Sequence, residues 1–106
     1  MTQEQFIQIS NWQKETFVSA TALSKLKHLE KELIELIIET VMPSDADGKN
    51  KALEYADCFF LLFGAAAADG MTYQDICDAI DKKFQINKQR KWGKPDENGV
   101  IEHVKQ

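Results

Sequence analysis

Glu32 and Glu35 stand three residues apart, and so do Glu54 and Asp57. On a helix that spacing places both members of a pair on one face, one turn apart. If the two segments form an antiparallel hairpin turning near residues 44–45, Glu32 falls opposite Asp57 and Glu35 opposite Glu54. Four carboxylates then stand at matching heights on neighbouring helices. So many negative charges in one place repel one another or take up protons. Cations from elsewhere in the protein relieve this, or bound metal does. Oxygen-only ligands suit the hard ions Mg²⁺ or Mn²⁺ better than zinc, and no Cys or cluster of His accompanies them. Acidic pairs at this spacing are also common on solvated helix faces, and the same segment carries Glu30 and Glu39. His28, one turn before Glu32, is either a neighbour of the site or a structural residue.

A second group is basic. Lys82, Lys83, Lys88, Arg90, Lys91 and Lys94 fall in a stretch that contains no acid. Cations at the end of a helix complement its dipole and aid solubility. Phosphate capture is the other reading: Lys83, Asn87 and Arg90 share a helical face, and the arginine fork matches phosphate oxygens. Metal-binding carboxylates beside a cationic patch suit a polyphosphate ester, whose negative oxygens the metals would bridge to the acidic face.

The elements that must position these groups are helices. Phe6, Ile7, Ile9 and Trp12 suggest a short amphipathic helix over 2–12. Leu26, Leu29, Leu33, Leu36 and Ile37 recur at helical spacing, predicting a long helix over about 15–42 that Pro43 stops. Ser44 to Asn50 is a cluster of turn formers. A second long helix follows over about 50–69, apolar nearly all round from Ala56 to Ala68 apart from Asp57. A helix apolar on every side must be covered on every side, and a chain this short has few elements for the task. A second copy of the chain is the expected cover. Gly70 reads as a helix C-cap, and Thr72 with Asp75 as the start of a third long helix reaching about Trp92, with Tyr73, Ile76, Ile80 and Phe84 as its buried stripe. Gly93, Pro95 and Gly99 break it, leaving 93–106 as an irregular tail with a turn of helix around Glu102. No segment alternates as a strand does. The expected fold is all-α: a single domain over 1–106, a helical bundle of three to four main helices completed by oligomerisation.

Bulk properties narrow the function. The chain has 106 residues, 17 acidic against 13 basic, for a net charge of −4. An acidic body argues against a dedicated binder of nucleic-acid polymers. No signal peptide is visible, and the apolar run from Cys58 to Ala68 is shorter than the roughly 20 residues a membrane span needs. Cys58 and Cys77 have no paired spacing and read as reduced, buried thiols of a cytoplasmic protein.

The sequence Glu32-Leu-Ile-Glu35, followed after a loop by Glu54-Tyr-Ala-Asp57, resembles the paired-acid motif of the MazG-like, all-α nucleoside triphosphate pyrophosphohydrolases. Trp12-Gln13, Thr16-Phe17, Ala20-Thr21, His28-Leu29, Asn87 to Gly93, Pro95 to Val100 and Glu102 to Lys105 resemble the dATP/dGTP pyrophosphohydrolase subgroup. The resemblance implies hydrolysis between the α and β phosphates, giving a nucleoside monophosphate and pyrophosphate. It implies two or three Mg²⁺ ions per site, with Mn²⁺ as a substitute, held by Glu32, Glu35, Glu54 and Asp57. Glu32 or Glu35 would also orient the attacking water. Lys83, Asn87 and Arg90 would face phosphate, and Trp12 and His28 would belong to the base or sugar pocket. A homodimer or a dimer of dimers is the implied assembly. A pyrimidine or modified nucleotide as substrate, and a non-catalytic helical module binding nucleotide or protein, are the alternatives.

Overall fold

The computed structural model describes residues 1–43 and 49–105, of which 49 and 50 by backbone alone. The turn-former cluster from Ser44 to Asn50 lies almost wholly outside the described residues. Four helices follow one another: α1 (Gln3–Thr16), α2 (Ala22–Val41), α3 (Lys49–Ala68) and α4 (Tyr73–Gln89). Among the described residues there is no strand, and the all-α expectation holds. None of the described helices is long and apolar enough to cross a membrane.

The chain divides into two compact units, Met1–Gln74 and Asp75–Gln106. In the first, α2 packs along α3, and α1 lies more lightly against α3. Thr2 caps α1 by accepting the Gln5 N–H at 3.1 Å. Phe6, 6% exposed, anchors the helix, its ring 5.7 Å from that of Tyr73.

The first two helices differ from the expected 2–12 and 15–42. No Gly or Pro marks the break between Thr16 and Ala22; a reciprocal cap makes it. Ser24 N–H donates to Thr21 Oγ1 at 3.1 Å, and Thr21 N–H donates to Ser24 Oγ at 2.8 Å. The two free ends are thereby satisfied where an uninterrupted helix would have needed neither residue. At its other end α2 stops at Val41, two residues before Pro43. The end of α3 is a Schellman turn. Gly70, at φ +92°, donates to Ala67 O at 2.9 Å, and Met71 N–H donates to Ala66 O at 3.0 Å.

Burial falls short of the sequence expectation. Leu36 is buried on α2, but Leu26, Leu33 and Ile37 are exposed. On α3, Ala65 is buried while Leu53, Phe59, Phe60 and Leu62 are exposed. Cys58 and Cys77 are free thiols, half-buried rather than buried.

The second unit holds most of α4 and the tail. Ile80 and Phe84, expected in a buried stripe, are exposed, since this unit contains no second helix to cover them. The helix ends at Gln89, short of Trp92, and the Trp92 indole turns back to donate to Asn87 O at 2.9 Å. The described part of the tail is irregular, as expected, but Glu102 carries no helical turn. Instead Trp92 and His103 form an isolated antiparallel bridge, closed by Val104 N–H to Lys91 O and Gly93 N–H to Glu102 O, each 2.8 Å. The reversal is built on Asp96, whose Oδ1 accepts from Asn98 N–H at 2.8 Å and Val100 N–H at 2.9 Å, with Gly99 at φ +78°.

Candidate active site

The first unit contains a cavity of about 540 Å³ between α1, the Phe17–Thr21 turn, α2 and α3. Trp12, Phe17 and Phe60 line it with apolar surface; Lys25, His28, Glu32 and Asp57 supply charge and polarity. Each element has a reason to be there. The capped turn lets α1 and α2 face each other across the opening. Trp12 and Phe17 hold each other edge to face, with ring centroids 5.5 Å apart.

One contact fits the hairpin register in which Glu32 falls opposite Asp57. Lys25 Nζ reaches Gly64 O at 3.5 Å, and these two residues lie seven positions further along each arm than Glu32 and Asp57. Glu32 and Asp57 both line the cavity. His28 Nε2 stands 3.2 Å from Glu32 Oε1, one turn earlier on α2. That contact fixes a Glu32 carboxylate which is itself only 23% exposed.

Glu54 lies one turn before Asp57 on α3, and its Oε2 is buried without a hydrogen-bond partner. The Cys58 thiol records the charge density here. Burial pushes its pKa above the ordinary value of 9.0, and the negative charges of Glu32, Asp57 and Glu54 raise it further. Glu35 is exposed and does not line the cavity.

Among the described residues no three Asp, Glu, His or Cys side chains converge as tightly as a coordination sphere requires. The helices bring the acids to neighbouring positions, and side-chain rotation must do the rest. The donor set nevertheless fits a hard divalent cation. It consists of carboxylate oxygens, and a buried, unpaired oxygen on Glu54 is a costly group that a cation would satisfy.

Of the remaining sequence candidates, Trp12 and His28 are on the cavity wall. Lys83, Asn87 and Arg90 belong to the second unit. There Asn87 Oδ1 is buried without a partner, Arg90 is half-buried and Lys83 is exposed. Lys88, from the same basic stretch, sits over the Phe84 ring, 5.0 Å from its centroid.

Lys25 and Gln13 line the cavity without having been singled out as site residues from the sequence, although Trp12-Gln13 is part of the family resemblance. Lys25 repeats the face of His28 and Glu32 at helical spacing. Gln13 is 7% exposed and donates from Nε2 to Phe60 O at 3.2 Å. Its signal was present in the spacing: Gln13 lies seven residues, two helical turns, after the anchor Phe6.

Comparison with known proteins agrees with this geometry. A search of curated proteins finds no match. Among solved structures the chain is similar to the cyanophage S-2L MazG-like pyrophosphohydrolase, bound to dGDP and three catalytic Mn²⁺ ions per active site. The identity is 24%, the TM-score 0.75, and 99% of each chain is covered. That likeness confirms the fold. The family model for dATP/dGTP pyrophosphohydrolase matches residues 6–106, from the α1 anchor through the tail. The chain belongs to the dATP/dGTP pyrophosphohydrolase family.

Proposed function

We propose that this chain hydrolyses dATP and dGTP between the α and β phosphates, releasing the monophosphate and pyrophosphate. The observation that carries the reading is the family match over residues 6–106, joined to Glu32 and Asp57 on the wall of a cavity large enough for a purine. On this reading Glu32, Glu35, Glu54 and Asp57 hold two or three divalent ions, Mg²⁺ or Mn²⁺. Bound there, such ions supply positive charge against the phosphate oxygens and lower the pKa of water. The orphaned Oε2 of Glu54 and the ions carried by the cyanophage relative support this assignment.

The chain's own residues do the remaining work. Glu32, steadied by His28, or Glu35 orients the attacking water. Trp12 offers a flat apolar surface to the base. Lys83, Asn87 and Arg90 bind phosphate oxygens. The enzyme works in the cytoplasm as a homodimer or a dimer of dimers. Leu33, Ile37, Leu53 and Phe59, all exposed on α2 and α3, form the apolar surface that a second copy would cover.

The test is a comparison of the eight standard ribo- and deoxynucleoside triphosphates under Mg²⁺ and Mn²⁺, with light scattering on the same preparation. Preferential turnover of dATP and dGTP by a dimer or tetramer is expected. Preference for dUTP or dCTP, or a monomer with full activity, would contradict the substrate or the assembly respectively.

A further inference from the structure

Gln13 is the one polar residue in the described core, and nothing in the metal chemistry employs it. Its carboxamide is held in a single sense. Phe60 O can only accept, so the group 3.2 Å away is the Gln13 amide nitrogen. The carbonyl oxygen, Oε1, takes no hydrogen bond from any described residue. It is not among the side-chain oxygens sealed away without a partner, so it keeps some access to solvent, and Gln13 itself lines the cavity. Space for it comes from α3. A Cβ on Gly64 would stand 2.7 Å from Oε1, closer than such atoms approach. On a cavity lining shared with Trp12, Phe17 and Phe60, Gln13 has one amide N–H tied to Phe60 O, which orients the carboxamide and leaves Oε1 as an unpaired acceptor.

We infer that Gln13 Oε1 reads the base of the bound nucleotide, accepting a hydrogen bond from an N–H on its hydrogen-bonding edge. Adenine offers its 6-amino group there; guanine offers N1–H and its 2-amino group. A purine ring without such a group leaves Oε1 buried and unpaired beneath it, which weakens binding by roughly 10-fold or more. The inference rests on the proposed nucleotide function of the cavity, but it concerns binding and does not require turnover.

The test is calorimetric titration without metal, using dAMP and the 2′-deoxyribonucleoside monophosphate of unsubstituted purine. The pair differs only in the 6-amino group. The expected result is binding of dAMP about 10-fold tighter by the unaltered protein, and equal binding of the two by a folded Gln13→Met variant, whose affinity for the unsubstituted purine is retained. Equal binding by the unaltered protein would overturn the inference. So would preserved discrimination in the variant, or binding of neither ligand. If the variant does not fold, the comparison in the unaltered protein still decides. Discrimination in binding without any turnover of triphosphates would remove the proposed reaction and leave the role of Gln13 standing.

Discussion

Lys25 Nζ lies 3.5 Å from the Gly64 carbonyl oxygen, tying α2 to α3 across the hairpin. The hydrogen bond is long and contributes little stability. Its value is as a marker of register: it fits a pairing in which Glu32 falls opposite Asp57, and it sets a positive charge on the cavity that also carries those two acids. Helix pairing thus brings Glu32 and Asp57 to the same cavity, while Glu35 stays exposed outside it.

The orphaned oxygen of Glu54 leads to the first prediction. Glu54→Gln keeps the shape of the side chain and removes one of three charges that bear on Cys58. Turnover should fall on the order of 100-fold or more through lost metal affinity. Thermal stability without metal should be unchanged or raised, because like-charge repulsion is relieved. Activity within a few-fold of the unaltered enzyme would remove Glu54 from the metal site.

Gly64→Ala sets two effects against each other. The new methyl would meet Gln13 Oε1 at 2.7 Å and Nε2 at 3.2 Å. Those atoms end a flexible side chain, so Gln13 swings away and forfeits its bond to Phe60, a loss of about 1 kcal/mol. Replacing glycine inside a helix returns about 1 kcal/mol. Denaturant unfolding should thus show a change within about 1 kcal/mol, while nucleotide KM rises. A large loss of stability with unchanged KM would mean that Gln13 is simply a packing residue.

The cap between α1 and α2 adjoins the cavity, whose lining includes Ala20 and Ser24. Thr21→Ala removes the acceptor of the Ser24 N–H and should cost about 1 kcal/mol. Because the Phe17 wall hangs on the same turn, KM should increase together with the fall in melting temperature. A melting temperature that does not move would show that the cap is dispensable.

Cys58 gives a pH prediction. Its pKa in the folded protein is raised, so folding favours the protonated thiol. The associated stability is present at neutral pH and is lost as pH rises from about 9 through the folded-state value. Cys58→Ala should flatten that alkaline limb in a series of melts. An identical alkaline limb in the variant would assign it to other groups.

The fold was legible where local patterns decide it. Helical spacing of Leu29 and Leu36, Pro43 after α2 and Gly70 after α3 placed the long elements, and the hairpin arithmetic paired Glu32 with Asp57. The break at Thr21 was missed because a side-chain cap made it, with no Gly or Pro as a marker. The tail was misjudged at Glu102 because bridge pairing with Trp92 depends on residues far apart in the chain. Ile80 and Phe84 have helical spacing whether or not anything covers them, so periodicity could not reveal their exposure. Gln13 was hidden for the opposite reason: a polar residue on a buried face goes against the pattern from which cores are read.

The central claim, cleavage between the α and β phosphates, is tested most directly by product analysis. Purified protein with Mg²⁺ is incubated with dATP or dGTP, and monophosphate, diphosphate, pyrophosphate and phosphate are quantified. The account predicts equal amounts of nucleoside monophosphate and pyrophosphate, and no diphosphate. Diphosphate with free phosphate, or no product from folded protein, would contradict it.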